Sequence, residues 1–157
     1  MRKVFEYSHL GGQEILMVRY PQIDAEINEI IESIVVSKGT KISQEKTKRG
    51  EKLYSPKEMN RLFKTEFHKR GYTELKDFYK MHTYDQHREV KAFKQIDFVK
   101  ERVFVEVQFG KYAFMFYDLA KFQYFYNNDK ADVGVEIVPC YYLHKDMSTG
   151  VSYGEQL

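Results

Sequence analysis

The stretch DFVKERVFVEVQF, residues 97–109, constrains the fold more than any other part of the sequence. Two apolar runs flank a charged turn at residues 100–102, which predicts a β-hairpin over roughly residues 95–109. The second run is rich in the β-branched and aromatic residues that suit a pleated strand. Glu106 and Gln108 interrupt this run, and because side chains two apart share a face of a strand, both point to the same side.

Helical and strand patterns on either side of this hairpin predict an α/β chain. Isoleucines recur at spacings of three and four after Pro21, and a second apolar stripe follows the helix-start signal SPKE at residues 55–58. Residues 113–127 are apolar or aromatic nearly all the way round, which is typical of a helix buried on more than one side. Residues 132–139 indicate another buried strand, and 157 residues suit a single domain.

The composition excludes several classes of protein. Hydrophobic residues make up 43% and aromatic residues 16%, more than a disordered chain carries. The single cysteine, Cys140, excludes a disulfide framework and a cysteine zinc site, and we interpret it as a buried thiol. No stretch resembles a signal peptide or a bilayer-spanning run, so we expect a cytoplasmic protein with no membrane partner. A net charge of +2 permits a polyanionic partner without requiring one.

A basic segment, residues 37–54, combines lysines and arginines with two glycines and almost no apolar residue. It is either a mobile surface segment or an arm that contacts phosphates, and its charge alone does not separate the two. His82 and His87 have no metal-like partner at helical or hairpin spacing. We interpret both as surface or hydrogen-bonded residues.

The hairpin also carries a candidate metal site. Its turn can bring Asp97 next to Glu106, and two neighbouring carboxylates repel each other when both are ionised, unless a cation lies between them. Mg²⁺ prefers carboxylate and carbonyl oxygens, and the main-chain carbonyl of Val107 could supply a further ligand. This layout is typical of a metal-dependent phosphodiesterase. The pattern is short, and acidic residues that face solvent at a sheet edge are the alternative explanation.

Longer stretches resemble a known family. The sequences IDFVKERVFVEVQFGKYAF, DVGVEIVP and MSTGVSYGEQ are similar to the BglII/BstYI family of type II restriction endonucleases. VFEYSHLGGQEI and EKTKRGEKLYSP resemble the BstYI member in particular. The resemblance covers most of the chain and implies a restriction-endonuclease-like core, with a central mixed β-sheet flanked by helices. Family members continue past the position of Leu157, so we expect residues 1–157 to be a nuclease domain that lacks the last helix and strand.

The same resemblance implies a catalytic site and a reaction. Asp97 and Glu106 match the metal-binding acids of the family, and Gln108 matches the glutamine that replaces the usual lysine near the nucleophilic water. The family implies a homodimer that uses Mg²⁺ to cut double-stranded DNA at a palindromic site containing GATC, leaving 5′-phosphate and 3′-hydroxyl ends. Two other functions stay open: a non-catalytic DNA-binding remnant of such a nuclease, and an unrelated α/β structural domain with an acidic strand face.

Lys111, Ser148 and Thr149 are the predicted DNA contacts. Lys111 directly follows the catalytic strand, where it can donate to guanine O6 and N7 or only to a phosphate. In the family, the residue at this position and the outer base pair of the site both vary. Ser148 and Thr149 fall in the other loop that the family uses for DNA contacts.

The aromatic helix at residues 113–127 is the predicted dimer interface. A palindromic target implies two-fold symmetry, and an apolar patch of this size would be unusual on a monomer. We expect Phe116, Phe122 and Tyr126 to contribute to that interface, with packing in the core as the alternative.

Overall fold

The computed structural model describes residues 1–39, 41–84 and 88–157, which form a central mixed sheet with helices on both faces. In chain order the elements are α1 (Gly12–Arg19), α2 (Pro21–Ser33), β1 (Lys41–Ile42), β2 (Lys52–Leu53), α3 (Pro56–Lys69), β3 (Thr73–His82), β4 (Glu89–Lys100), β5 (Val103–Val107), α4 (Tyr112–Asn127), β6 (Val133–Ile137) and α5 (Tyr141–Lys145). A 3₁₀ turn, Gly154–Gln156, follows α5. This architecture confirms the α/β class and the sheet flanked by helices.

The main sheet has the strand order β3-β4-β5-β6. Strands β3, β4 and β5 are antiparallel neighbours, and Glu101, with a φ of 54°, sits in the tight turn between β4 and β5. Strand β6 is parallel to β5, which requires a crossover, and α4 supplies it. Strands β1 and β2 form a separate two-stranded ribbon.

Helices α2 and α3 cover one face of the sheet. The isoleucine stripe of α2 and the stripe Met59, Phe63 and Phe67 of α3 are buried against Val103, Val105 and Val107 of β5. Ser55 caps α3 as predicted, because its side chain accepts a hydrogen bond from the Glu58 backbone N–H at 3.3 Å. The alternation of β5 therefore points its valines to this face and its remaining side chains to the other.

Helix α4 covers the opposite face. Phe125 of α4 packs edge-on against Phe104 of β5, with ring centroids 5.1 Å apart, in a second core that also contains Ile96. Phe122 lies directly over Gly134 of β6, where a Cβ would overlap the ring. This packing places the polar residues of α4 above the middle of the sheet.

Several expectations need correction. No apolar pattern indicated β3, and β4 begins at Glu89 instead of near residue 95, because the outer half of this hairpin exposes both of its faces. Cys140 is only half-buried, since it precedes the first turn of α5 at the surface. Helix α4 is buried on one side and exposes aromatic rings on the other, with Phe116 45% and Tyr126 61% exposed. Phe122, by contrast, packs on the sheet as the core alternative required.

His82 is exposed, in line with its interpretation as a surface residue, whereas His87 lies outside the described residues. Within residues 1–39, 41–84 and 88–157, no helix has both the length and the apolar character needed to cross a membrane.

Candidate active site

Three carboxylates lie in a row across the middle of the sheet. Phe98 pairs with Val105, so the next residues in the antiparallel register are Asp97 of β4 and Glu106 of β5. These two carboxyl groups lie close enough for each to shift the pKa of the other. In the parallel pair, Glu106 stands opposite Glu136 of β6. Glu106 and Glu136 share the face that α4 covers, while Asp97 lies at an irregularity of β4 and approaches Glu106, so the predicted contact between Asp97 and Glu106 is present.

The acid at the centre of the row is buried, and burial changes the protonation of the row. Glu106 is 4% exposed. Desolvation, helped by the neighbouring Asp97, raises the pKa of Glu106 to about 8, although Lys121 opposes the shift. Desolvation also raises the pKa of Asp97, against the hydrogen bond from Glu106 and the charge of Lys121. The pair therefore holds a proton near neutral pH unless another cation replaces it.

Helix α4 brings a buried lysine and a buried aspartate to this row. Lys121 and Asp118 are 8% and 2% exposed. The Lys121 ammonium donates to Glu106 Oε1 and lies 2.8 Å from Asp118 Oδ1. Burial opposes the charged form, but the bonds to Asp118 and Glu106 prevail and raise the pKa of Lys121. Sequence reasoning missed both residues. The available signal was a charged pair three apart in an otherwise aromatic helix.

Gln108 joins the same network. Its Nε2 donates to Asp118 Oδ2 at 3.0 Å, while its backbone N–H donates to the Ile137 carbonyl at 2.9 Å and holds the chain just past the end of β5. A Cβ at Gly110 would overlap Gln108 Oε1, so the amide oxygen lies close over this glycine. Asp97, Glu106 and Gln108 are thus connected in one chain of contacts through Lys121 and Asp118.

Glu136 is a further acidic residue that sequence reasoning missed. Both of its carboxylate oxygens are buried, and neither has a hydrogen-bond partner within the described parts of the chain. Desolvation, with the nearby charges of Asp118 and Glu106, raises the pKa of Glu136 to about 8. Its proximity to Glu106 depends on the register of two strands far apart in sequence, so no local pattern reveals it.

A small cavity of about 100 Å³ opens beside Asp97 where α3 meets the sheet. Most of the residues that line it are polar or charged, and the full set is Asn60, Lys64, Glu74, Asp97, Phe98 and Val107. Asp97 and Val107, two of the three predicted metal ligands, therefore border the same cavity. Carboxylate and carbonyl oxygens are the ligands that a hard divalent cation prefers.

The predicted DNA-contact residues lie on two segments that meet. Lys111 is the exposed residue before the first turn of α4. The neighbouring Gly110 carbonyl accepts a hydrogen bond from Ser152 N–H at 2.8 Å, which anchors the loop carrying Ser148 and Thr149. Thr149 is exposed, and both its backbone N–H and its hydroxyl donate to Glu45 Oε2, at 3.1 and 3.0 Å.

The basic segment is tied to the same loop. Lys48 donates to the carbonyls of Lys145 and Met147 at 2.7 and 2.8 Å, and Lys38 lies 2.7 Å from Asp146. The segment is therefore attached to the loop that follows α5, through contacts that its charge pattern alone did not reveal. These contacts bring its positive charge close to Thr149.

No complete metal cage is preformed in the described residues, because no group of three or more His, Cys, Asp or Glu side chains there could hold an ion. Mg²⁺ commonly keeps several waters and binds only one or two protein carboxylates. The Asp97–Glu106 pair meets that smaller requirement. Glu106 already contacts the Lys121 ammonium, so a positive charge is stabilised at this end of the pair.

Comparisons with known proteins agree on one family. The family model described as "Restriction endonuclease BglII/BglIII" matches residues 4–157. The fold is similar to a crystal structure of restriction endonuclease BglII complexed with a DNA 16-mer, with 22% identity, a TM-score of 0.70 and coverage of 96% of this chain and 64% of that one. It is also similar to free BglII, with 20% identity, a TM-score of 0.60 and coverage of 92% and 62%. No curated protein matched the sequence.

Proposed function

Because this chain belongs to the BglII/BglIII restriction endonuclease family, we propose that it hydrolyses DNA phosphodiesters as a type II restriction endonuclease. The proposed target is a palindromic duplex site containing GATC, cut in the presence of Mg²⁺ to give 5′-phosphate and 3′-hydroxyl ends. The chain spans slightly less than two thirds of the two BglII structures, so its activity, substrate and partners are part of this proposal. The narrower likeness to BstYI stays a prediction.

The observation that carries the proposal is the contact between Asp97 and the buried Glu106. Two ionised carboxylates in contact on neighbouring strands destabilise the folded state unless a proton or a cation neutralises them. A purely structural sheet would not need this arrangement. The pair therefore favours a cation-dependent active site over acidic residues that simply face solvent.

Asp97 and Glu106 are the residues that would hold Mg²⁺, with the Val107 carbonyl as a third protein oxygen. A bound divalent cation supplies the charge that makes water a stronger nucleophile and that stabilises the phosphorane. The protein fixes both acids on strands, which vary less in position than loops. Lys121 already holds one Glu106 oxygen, so the second oxygen is the one left for a ligand.

Gln108 serves the reaction without transferring a proton. Its amide has no titrating proton near neutral pH, so it cannot be the general base. It contributes a hydrogen bond to the attacking water or to the scissile phosphate. Its place one residue past β5, on the same side of the sheet as Glu106, supports this role.

Lys111, Ser148 and Thr149 are the proposed DNA contacts. Their two segments meet at the Gly110–Ser152 hydrogen bond, so one duplex could contact both. Lys111 is exposed and directly follows the strand that carries Glu106. A palindromic site also implies a two-fold homodimer, in which each copy cuts one strand.

Plasmid digestion followed by sequencing of the ends tests this function directly. We expect linear products only when Mg²⁺ is present, with every end mapping to sites that contain GATC. A protein that binds duplex DNA with strong salt dependence but leaves the plasmid intact would be the DNA-binding remnant instead. Absence of both binding and cleavage would indicate an unrelated α/β domain.

A further inference from the structure

We infer that Asp118 and Lys121 are positioning residues that lock the Gln108 amide, so that its carbonyl oxygen, and not its NH₂ group, is presented to the attacking water. The inference deepens the proposed function and rests on it. It chooses between the two roles left open for Gln108, and it assigns a purpose to two buried charged residues of α4.

The first step is the chemistry of Asp118. An ionised carboxylate has only acceptors, so the group that faces it must be a donor. Asp118 is 2% exposed, and its two oxygens are taken by Lys121 at 2.8 Å and by Gln108 Nε2 at 3.0 Å. If the amide turned over, Gln108 Oε1 would face a carboxylate oxygen, and two acceptors would meet at hydrogen-bond distance. The orientation of the amide therefore follows from chemistry.

The second step is the role of Lys121. Its buried ammonium contacts both Asp118 Oδ1 and Glu106 Oε1, and it lies over the Tyr117 ring at 5.4 Å. The ammonium occupies Asp118 Oδ1, so Oδ2 is the oxygen left for Gln108. The same ammonium also contacts Glu106. One cation therefore fixes the position of a proposed metal ligand and, through Asp118, the orientation of the Gln108 amide.

The third step is the space around Gln108. Its Oε1 lies so close over Gly110 that any Cβ at this position would overlap it. A side chain at position 110 would have to displace this amide from its hydrogen bond with Asp118.

The consequence is a specific chemical role. An amide oxygen accepts a hydrogen bond from the attacking water and so directs a lone pair of that water, while the amide itself stays neutral. A lysine at this position would only donate, and its ammonium would be captured by Asp118. Gln108 is therefore not equivalent to the lysine that most such nucleases carry there.

Asp118→Asn should reverse the orientation of the Gln108 amide, and it does so with a side chain of the same shape. Facing the Lys121 ammonium, the new amide must present its oxygen, which leaves its NH₂ toward Gln108 and turns the Gln108 amide over. Gly110→Ala displaces the same amide without altering a charge. Asp77→Asn is the matched control, because Asp77 also binds a lysine, Lys130, at 2.7 Å and a side-chain donor, Tyr124, at 2.8 Å, away from the site.

Side-chain amide NMR of the metal-free protein detects the hydrogen bond between Gln108 and Asp118, and it requires no cleavage. In the wild type we expect one Gln108 Nε2 proton to be shifted downfield and slow to exchange. That resonance should be lost in Asp118→Asn and in Gly110→Ala, and kept in Asp77→Asn. A wild-type spectrum without it, or its survival in Asp118→Asn, would overturn the lock whether or not the protein is a nuclease.

Cleavage kinetics then test the acceptor role. We expect Asp118→Asn and Gln108→Lys to lower kcat roughly a hundredfold, the cost of a misplaced catalytic contact, with KM for duplex DNA nearly unchanged. Asp77→Asn should keep the wild-type kcat. Full activity of Gln108→Lys would show that a donor serves at this position and would overturn the inference.

Discussion

Glu106 of β5 and Glu136 of β6 stand opposite each other in a parallel strand pair, yet only the first of these two carboxylates is bonded to Lys121. Neither oxygen of Glu136 has a hydrogen-bond partner among the residues that the structure describes. Desolvation raises the pKa of Glu136 to about 8, so its carboxyl group is mostly protonated at neutral pH in the folded protein. A buried acid without a hydrogen-bond partner lowers the stability of the folded protein, by an amount that depends on pH.

Glu136→Gln should stabilise the protein at high pH. The folded pKa of Glu136 lies above its unfolded value, so the folded state binds the extra proton and loses stability as pH rises from about 4.5 toward 8. Because glutamine carries no charge, the variant avoids this penalty, and its free energy of unfolding at pH 8.5 should exceed the wild-type value by about 1–3 kcal/mol, the cost of a buried charge without a partner. At pH 4.5 the gain should disappear. Urea unfolding at both pH values measures the difference.

Glu29→Gln is the control for that comparison, because Glu29 is an exposed carboxylate on α2. It should leave the free energy of unfolding unchanged at both pH values. Equal stability of Glu136→Gln and wild type at pH 8.5 would contradict the buried, unpartnered state of Glu136.

Gly134→Ala should destabilise the face of the sheet that carries the site. A methyl group at position 134 would overlap the Phe122 ring, which has to move away from β6. We expect a loss of about 1–3 kcal/mol in the free energy of unfolding, as for other overpacked positions. Gly150→Ala is the control, because no atom lies within 4 Å of a Cβ there. A fully stable Gly134→Ala would mean that α4 does not pack on β6 as described.

The exposed side of α4 should form the dimer interface. Phe116 and Tyr126 are 45% and 61% exposed, and burying such rings between two copies would remove apolar surface from water. We expect a dimer in sedimentation at micromolar concentration, and a shift to monomer in Phe116→Lys. Phe5→Lys, which alters a ring that is more exposed than Phe116 and lies in the N-terminal segment, should leave the dimer intact. A stable, non-aggregating wild-type monomer would count against this interface.

Lys111→Asn should change the outer base pair that the enzyme prefers and leave the central GATC preference intact. Loss of a base contact costs about 1–3 kcal/mol at one position, whereas loss of a phosphate contact weakens all sequences alike. Cleavage rates on oligonucleotides that vary only at the outer pair distinguish the two. Lys57→Asn, an exposed lysine on α3, is the control. Uniform loss across every outer pair would make Lys111 a phosphate contact.

Local signals explain which parts of the fold were predictable. The hairpin turn at residues 100–102, the cap at Ser55 and the helix at residues 113–127 each depend on neighbours in sequence, and the structure contains all three. Strand β3 was missed because charged and aromatic side chains alternate along a ribbon exposed on both faces, so no apolar face marks it.

The candidate site was predictable only in part, for the same reason. Asp97 and Glu106 belong to one hairpin, so their contact follows from local register. Glu136 reaches Glu106 through a parallel pairing, and Asp118 and Lys121 reach it through the packing of a helix. Contacts of this kind depend on tertiary structure, and a single sequence carries little information about them.

We propose that the Asp97–Glu106 pair binds a cation that DNA cleavage requires. The most direct test compares wild type, Asp97→Asn and Asp77→Asn for Mg²⁺-dependent plasmid cleavage, together with duplex binding by each protein. We predict that Asp97→Asn abolishes cleavage and retains duplex binding, because this carboxylate serves the ion more than the DNA, while Asp77→Asn cleaves normally. Cleavage by Asp97→Asn at the wild-type rate under the same Mg²⁺ would contradict the assignment of the site.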